Sequence, residues 1–311
     1  MTKVCYYLQT HTAPGQIVRL AGLIKASSPD SFVLISHDAA APPLDDQRLA
    51  AMPGVHVLTE PGGYGDFSHL DRYFAAVDWL DEHGVEYDWM ENISGQDYPL
   101  KPIAEIERTL ASTPVDGYLR YAPVFGAGAS HPLRLCAPFD ADMRYRYRYW
   151  WLGRPTPAKQ RWLRPVMAAN LVQPWLRVSL AFSTVGVRRR NPVFGDDMPL
   201  YGGWFFCTLS APAVRYARDF ARDHPEAVRQ LRTVLAPEEV YLQTVLVNSG
   251  KFTFDPDPKR YIDMTGSRNN HSKVLGTADL DAMLASGAHW ARKFDPARDD
   301  AVLDLLDERI R

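Results

Sequence analysis

Between residues 3 and 120, short β-prone apolar runs alternate with stretches of helical spacing, and this alternation constrains the chain more than any other feature. Lys3–Gln9, Phe32–Ser36, Val55–Leu58, Tyr87–Ile93 and Asp116–Arg120 read as strands. Between them, Gln16–Ala26 places Ile17, Leu20, Leu23 and Ile24 on one helical face, and Ser68–Asp81 does the same with Leu70, Phe74, Val77 and Leu80. Ser68 is expected to cap its helix, and Pro102–Leu110 forms a third. Strands joined through helices must run parallel, so the expected fold is a single α/β domain with a mostly parallel central sheet flanked by helices. Such sheets bind ligands beyond the carboxyl ends of their strands. His11, Asp38, Tyr64 and Asp97 all fall shortly after expected strands and are therefore candidate site residues.

The stretch Tyr201–Ser249 is organised differently. Gly202-Gly203-Trp204-Phe205-Phe206 leads through apolar residues to Leu209, which reads as a short buried strand. Ser210 is placed as an N-cap, Pro212 in the first turn, and Val214, Ala217, Phe220 and Ala221 on one face of the helix that follows. Pro237-Glu238-Glu239 then precedes Val240, Leu242, Val245 and Leu246. Two carboxylates at a helix entrance have two readings. They suit the positive end of the helix dipole, or one of them faces a cleft and accepts a proton as a general base. Local sequence alone favours the first.

Residues 142–190 contain the run Arg144-Tyr145-Arg146-Tyr147-Arg148-Tyr149-Trp150-Trp151. Arginines interleaved with aromatics can grip nucleic acid, stack on sugar rings or lie on a membrane. The favoured reading is a half-buried strand with tyrosines inward and arginines outward. Leu163–Ala181 reads as one or two helices, and the whole segment as an insertion, a lid or an acceptor wall.

Net charge is −2, which removes the global field expected of a nucleic-acid binder. Cys5, Cys136 and Cys207 are odd in number and set in apolar surroundings, a pattern of buried reduced thiols and not of disulfides or a metal site. No leader segment and no apolar run of membrane-spanning length is present, so the expected location is the cytoplasm. The absence of G-x-G-x-x-G and of a Walker lysine argues against dinucleotide or ATP binding.

Eight motifs, in order, resemble the core-2/I-branching β-1,6-N-acetylglucosaminyltransferases and the related peptide O-xylosyltransferases. They are YYLQTH (6–11), FVLISHD (32–38), YGDFSHLDRYFAA (64–76), ISGQDYPLK (93–101), GGWFFCTLS (202–210), PEEVYLQTVLVNS (237–249), RYID (260–263) and HSKVLGTADL through ARKFD (271–295). Residues 123–199 match poorly. The resemblance implies a GT-A-type fold with a nucleotide-sugar half (1–122), the insertion (123–199) and an acceptor and catalytic half (200–311). It places His11, Asp38 and Tyr64 around the uridine, and Lys273, Arg292 and Lys293 against the diphosphate. Asp97 and Trp204 fall on the acceptor side, although Asp97 equally suits a purely structural turn. Glu239 is placed as the general base.

Implied chemistry is inverting transfer from a UDP-sugar, UDP-N-acetylglucosamine first and UDP-xylose next, to a hydroxyl of a glycan, peptide or small molecule. No cofactor and no metal are expected. Asp140-Ala141-Asp142 and Asp255-Pro256-Asp257 follow no convincing buried strand in the nucleotide half, and cationic side chains can neutralise the leaving diphosphate instead. The rivals are a non-catalytic sugar- or nucleotide-binding protein on the same fold, and an RNA-binding protein built on the arginine–tyrosine run.

Overall fold

A computed structural model of the protein describes residues 2–125, 143–189, 194, 198–265 and 272–310. Cys136, Asp140, Asp142 and His271 fall outside them. The first half follows the expected alternation: β1 (Val4–Thr10), α1 (Pro14–Ser27), β2 (Phe32–Asp38), α2 (Asp46–Ala50), β3 (Val55–Glu60), α3 (Ser68–Glu82), β4 (Trp89–Ser94), β5 (Asp97–Pro99), α4 (Ile103–Ser112), β6 (Gly117–Tyr118) and β7 (Ala122–Pro123). The remaining strands are β8 (Tyr147–Trp151), β9 (Leu176–Ser179), β10 (Thr184–Arg188), β11 (Tyr201–Gly202), β12 (Thr208–Ser210), β13 (Phe254–Asp255), β14 (Arg260–Ile262) and β15 (Trp290–Arg292).

Seven strands form the central sheet in the order β13-β6-β12-β4-β1-β2-β3. β4, β1, β2 and β3 are mutually parallel, and β12 runs antiparallel between β4 and β6. The mixed α/β class with a mostly parallel sheet is therefore as expected. The chain places β2 and β3 on one side of β1 and β4 on the other, which makes the β1–β4 gap a switch point where a crevice opens at the strand ends.

β1 is buried along its whole length, as a central strand covered on both faces must be. Its alternate residues divide between two cores. Val4, Tyr6 and Leu8 join Ile17, Leu20 and Ile24 of α1, whereas Cys5 and Tyr7 join Leu70, Tyr73 and Val77 of α3 and the helix Tyr241–Ser249. Cys5 and Cys207 are buried free thiols, and burial pushes both pKa values up.

Several local expectations need correction. Phe67, not Ser68, takes the N-cap position of α3, and the Asp66 carboxylate accepts the Ser68 amide instead. Ser210 does precede its helix, but its hydroxyl makes no capping bond. The run Trp204–Cys207 is not a strand: Tyr201–Gly202 pairs with β7 and Thr208–Ser210 with β4 and β6, and at Gly203 the chain passes so close to the Arg120 carbonyl that a Cβ there would fall 1.8 Å from it. Leu163–Ala181 contains the β9 strand as well as short helical turns, since Pro174 cannot continue a helix. Of the alternation read in Arg144–Trp151, Tyr145, Tyr147 and Tyr149 are buried and Arg146 and Arg148 exposed, but Arg144 is turned inward, where Glu239 holds it, and the strand begins only at Tyr147.

A second sheet, β14-β15-β5, is joined to the first by a buried ion pair. Arg260 Nη2 on β14 lies 3.1 Å from Glu91 Oε2 on β4, and neither side chain is more than 1% exposed. The same carboxylate oxygen accepts from Thr208 Oγ1 at 2.8 Å, and Arg260 also donates to the Asn92 and Phe206 carbonyls. Burial raises the Glu91 pKa, and Arg260 opposes that rise. Removing one partner of such a pair strands a charge in the core, whereas replacing both with apolar groups does not. Arg260→Ala should therefore lower stability by about 3–5 kcal/mol, and Arg260→Met with Glu91→Leu by clearly less. Urea unfolding of both variants checks this.

Candidate active site

The carboxyl ends of β1, β2 and β4 carry most of the candidate residues. Register pairs Thr10 with His37 across β1 and β2, and Gln9 with Ser94 across β1 and β4, so His11, Asp38 and the Ser94–Asp97 turn share one edge.

Asp38 ends β2 with its carboxylate fully engaged. Oδ1 accepts from the Ala40 amide at 2.9 Å and the Gly62 amide at 3.1 Å, and Oδ2 from Arg154 Nη2 at 3.2 Å. Burial alone raises the Asp38 pKa, but the two amides and Arg154 outweigh it and hold it below the usual value. Gly62 is required here, because a Cβ would come within 2.5 Å of that carboxyl group. Asp38 thus fixes the loop 62–65, and that loop presents Tyr64, 42% exposed, against the ring of Phe182.

Arg72 and His69 were not singled out from the sequence, although both lie within the YGDFSHLDRYFAA motif, three residues apart on one face of α3. Arg72 is 4% exposed. Its Nε donates to Ser36 Oγ at 2.8 Å and its Nη2 to the Thr10 and Ser36 carbonyls. Among the described residues no carboxylate forms an ion pair with it. His69 Nδ1 lies 2.8 Å from Gln9 Oε1, an acceptor, so this nitrogen carries the proton and Nε2 is left as a base. Burial, then Arg72, lowers the His69 pKa to about 4, so the ring is neutral. His11 is exposed, and its pKa is lowered by partial desolvation and then by Arg72, with Asp38 acting in the opposite direction.

Of the C-terminal cations, Arg292 lies opposite Asp97 in the β15–β5 register, with Nε 3.6 Å from Asp97 Oδ1 and its guanidinium 4.0 Å from the centre of the Phe206 ring. Asp97 is itself 1% exposed and accepts from the Ser94 amide and hydroxyl. Its turn role and its hold on Arg292 are what the geometry shows. Lys273 is bound by Asp279 at 2.5 Å and faces Asp263 at 3.7 Å. The Lys293 carbonyl accepts from the Leu275 amide at 2.9 Å, while its ammonium group has no hydrogen-bond or ion-pair partner among the described residues. Its pKa is lowered by burial, then by Arg292 and Arg298, with Asp295 acting in the opposite direction.

Glu238 and Glu239 occupy a 3-10 turn, Pro237–Glu239, and the α-helix begins only at Tyr241, so neither residue opens that helix as expected. The turn is held by two backbone bonds: Ala236 N donates to Gly65 O at 3.0 Å, and Gly203 N to Glu239 O at 2.8 Å. Glu239 is half-buried, and its Oε2 accepts from Arg144. Trp204 follows Gly203, lies under the Arg120 guanidinium at 4.8 Å, and its carbonyl accepts from Gln243. The run Gly203–Phe206 thereby links three places: the Glu239 turn through Gly203, the His69 ring through Phe205 at 6.2 Å, and Arg292 through Phe206.

Among the described residues, no group of three or more His, Cys, Asp or Glu side chains is placed to hold a metal. Asp255 and Asp257 both face Lys259. Within the same residues, no helix is long and apolar enough to cross a membrane.

No family model matches this sequence. Over 232 residues it is 25% identical to Beta-glucuronosyltransferase GlcAT14A of Arabidopsis thaliana, covering 73% of this chain and 43% of the relative. It is 23% identical over 231 residues to Beta-glucuronosyltransferase GlcAT14B of the same plant, covering 73% and 45%. The chain thus spans less than half the length of these curated relatives. Among solved structures it overlays TarS 1-349 of S. aureus with a TM-score of 0.34 and 12% identity, over 83% of this chain and 61% of that one. The likeness is to glycosyltransferases. The sugar in the two plant names is glucuronic acid, not the N-acetylglucosamine or xylose of the families that the motifs resemble.

Glu238 gives this site a pH signature. Its Oε2 is shut off from solvent without a hydrogen-bond partner, and burial followed by the Glu239 charge pushes its pKa up to about 8. The folded state therefore holds a proton that the unfolded state has released once the pH exceeds about 4.5, and stability falls as pH rises from there through about 8. Glu238→Gln removes this slope. It should match the parent near pH 5 and melt at a higher temperature than the parent near pH 8.5, as measured by thermal unfolding across pH.

Proposed function

We propose that the chain is a glycosyltransferase that moves a sugar from a UDP-sugar to an acceptor hydroxyl. The observation that supports this best is the Gly203–Phe206 run, which links the Glu239 turn to Arg292, next to Lys293, and to the His69 ring, three residues before Arg72. A nucleotide diphosphate leaving group requires positive charge, and Arg72, Arg292 and Lys293 supply it there. Asp38 and Tyr64 carry the loop on which the uridine rests, and His11 stands at its edge.

The proposed chemistry is a single displacement. The acceptor oxygen attacks the anomeric carbon as the bond from that carbon to the diphosphate oxygen breaks. The proton of the acceptor hydroxyl passes to Glu239, and UDP departs against the cations. Attack from the face opposite the leaving group inverts the anomeric centre and gives a β-linkage from an α-linked donor. Arg144 orients the Glu239 carboxylate, and Trp204 offers a flat apolar face to the acceptor sugar. On this reading no metal takes part.

The order of motifs favours UDP-N-acetylglucosamine, then UDP-xylose, while the plant relatives' names add UDP-glucuronic acid. Calorimetric titration of the three separates them, and the acid sugar would draw on a further cation. The second reading is binding without transfer, which requires UDP-sugar affinity with no turnover on any acceptor.

Glu239→Gln should reduce transfer by about 10²–10⁴-fold, the usual worth of a general base, while UDP still binds. Glu238→Gln should keep most of the activity. If the two outcomes are reversed the base is misassigned, and if both variants stay active the mechanism is wrong.

UDP binding and turnover should both survive EDTA. Activity lost on chelation and restored by manganese would show that a metal bridges the diphosphate after all.

A further inference from the structure

Residues 143–189 contain ten arginine and lysine side chains and no aspartate or glutamate, in a chain whose net charge is −2. The remainder of the protein is therefore acidic on balance, and this segment concentrates positive charge, of which Arg144 and Arg154 meet Glu239 and Asp38 of the remainder. It also holds the most exposed large apolar side chains among the described residues: Leu171 at 89%, Trp162 at 83%, Val172 at 82% and Trp175 at 63%.

The fold arranges these residues on the outside of one small unit. β8, β10 and β9 form an antiparallel sheet. Tyr147 and Tyr149 on its inner face pack against Leu235. On the outer face Arg148, Val187 and Leu176 stand in one row across the three strands, all exposed. Trp150 is on the same face of β8, with the Arg148 guanidinium 5.2 Å from its ring. The turn carrying Leu171 and Val172 is fastened to β9 by two hydrogen bonds between Asn170 and the Val178 backbone. Arg161 and Arg164, on the preceding helical stretch, are exposed and have no carboxylate within ion-pair reach among the described residues.

We propose that this face docks the protein on an anionic lipid surface. Arg148, Arg161 and Arg164, exposed and without an ion-paired carboxylate among the described residues, are attracted to negatively charged headgroups, and each is worth about fivefold in partitioning near such a surface. Exposed tryptophans suit the headgroup boundary, and near-fully exposed Leu171 and Val172 gain only where an apolar phase receives them. A nucleic-acid surface would satisfy the arginines and leave these aliphatic side chains in water. The same unit touches the candidate site, through Arg154 on Asp38 and Phe182 on Tyr64, so docking would bring the loop 62–65 close to the bilayer. The inference does not depend on the proposed transfer reaction.

Co-sedimentation of the whole protein with vesicles tests it. Equimolar phosphatidylcholine–phosphatidylglycerol vesicles should retain the protein at low salt and release it as salt rises, and phosphatidylcholine alone should retain little. Arg161→Glu with Arg164→Glu should weaken retention by about tenfold or more. Leu171→Ser with Trp162→Ala should weaken it independently. All four side chains project into solvent, so thermal unfolding of the variants should match the parent. Equal retention by neutral vesicles, no retention at low salt, or retention unchanged in both double variants would overturn the proposal. So would capture by a single-stranded oligonucleotide in the absence of vesicle binding.

Discussion

The buried contact between Arg260 and Glu91 is the constraint on which the rest of the molecule depends. It crosses from the central sheet to the small sheet that carries Arg292, at a point from which water is excluded. A carboxylate buried in the middle of β4 is unfavourable unless a cation and hydrogen-bond donors meet it. Thr208 and Arg260 supply these, and in doing so they fix the antiparallel β12 strand and the β14 strand against β4. Because β15 pairs with both β14 and β5, the position of Arg292 over Asp97 is inherited from that one buried pair.

The candidate site is built by a similar economy of supports. Acidic side chains that end strands bind backbone amides and cations, and so hold loops in place: Asp38 the loop 62–65, Asp97 the 94–97 turn and Arg292. Of the basic side chains, Arg292 faces Asp97, whereas Arg72 and Lys293 have no ion-paired carboxylate among the described residues, in a chain that as a whole is slightly acidic. Local imbalance of this kind favours an anionic ligand more specifically than net charge does. The two neighbouring glutamates show how environment divides equivalent groups. Glu239 is met by Arg144, whereas Glu238, half-buried with its Oε2 shut off from solvent, has its pKa raised by burial and then by the Glu239 charge.

Much of the first half was legible in the primary structure. Period-two alternation in Val4–Leu8 and helical spacing in the residues of α1 and α3 are local consequences of which faces must be covered, so they survive in the linear pattern. Boundaries that depend on partners did not. Trp204–Cys207 has strand-like composition but is bound to Arg120, His69 and Gln243 instead of a ladder. Ser210 has the right identity for a cap, yet its hydroxyl is buried without a partner. Glu238 and Glu239 read as the start of a helix because acids are common there, and only Gly65 and Gly203 reveal the tight turn they occupy.

What the sequence determined by itself is the α/β class, the strand ends at which a site can form, and the identity of most side chains placed there. These follow from local covering patterns and from short motifs. What only the tertiary structure decided is which charges meet. Arg72 lies 36 residues from Ser36, and Arg144 lies 95 residues from Glu239. Lys273 is bound by Asp279 and faces Asp263, while the Lys293 ammonium has no ion-pair partner among the described residues. Pairing of this kind depends on distance and burial in the folded chain, and a linear pattern carries neither.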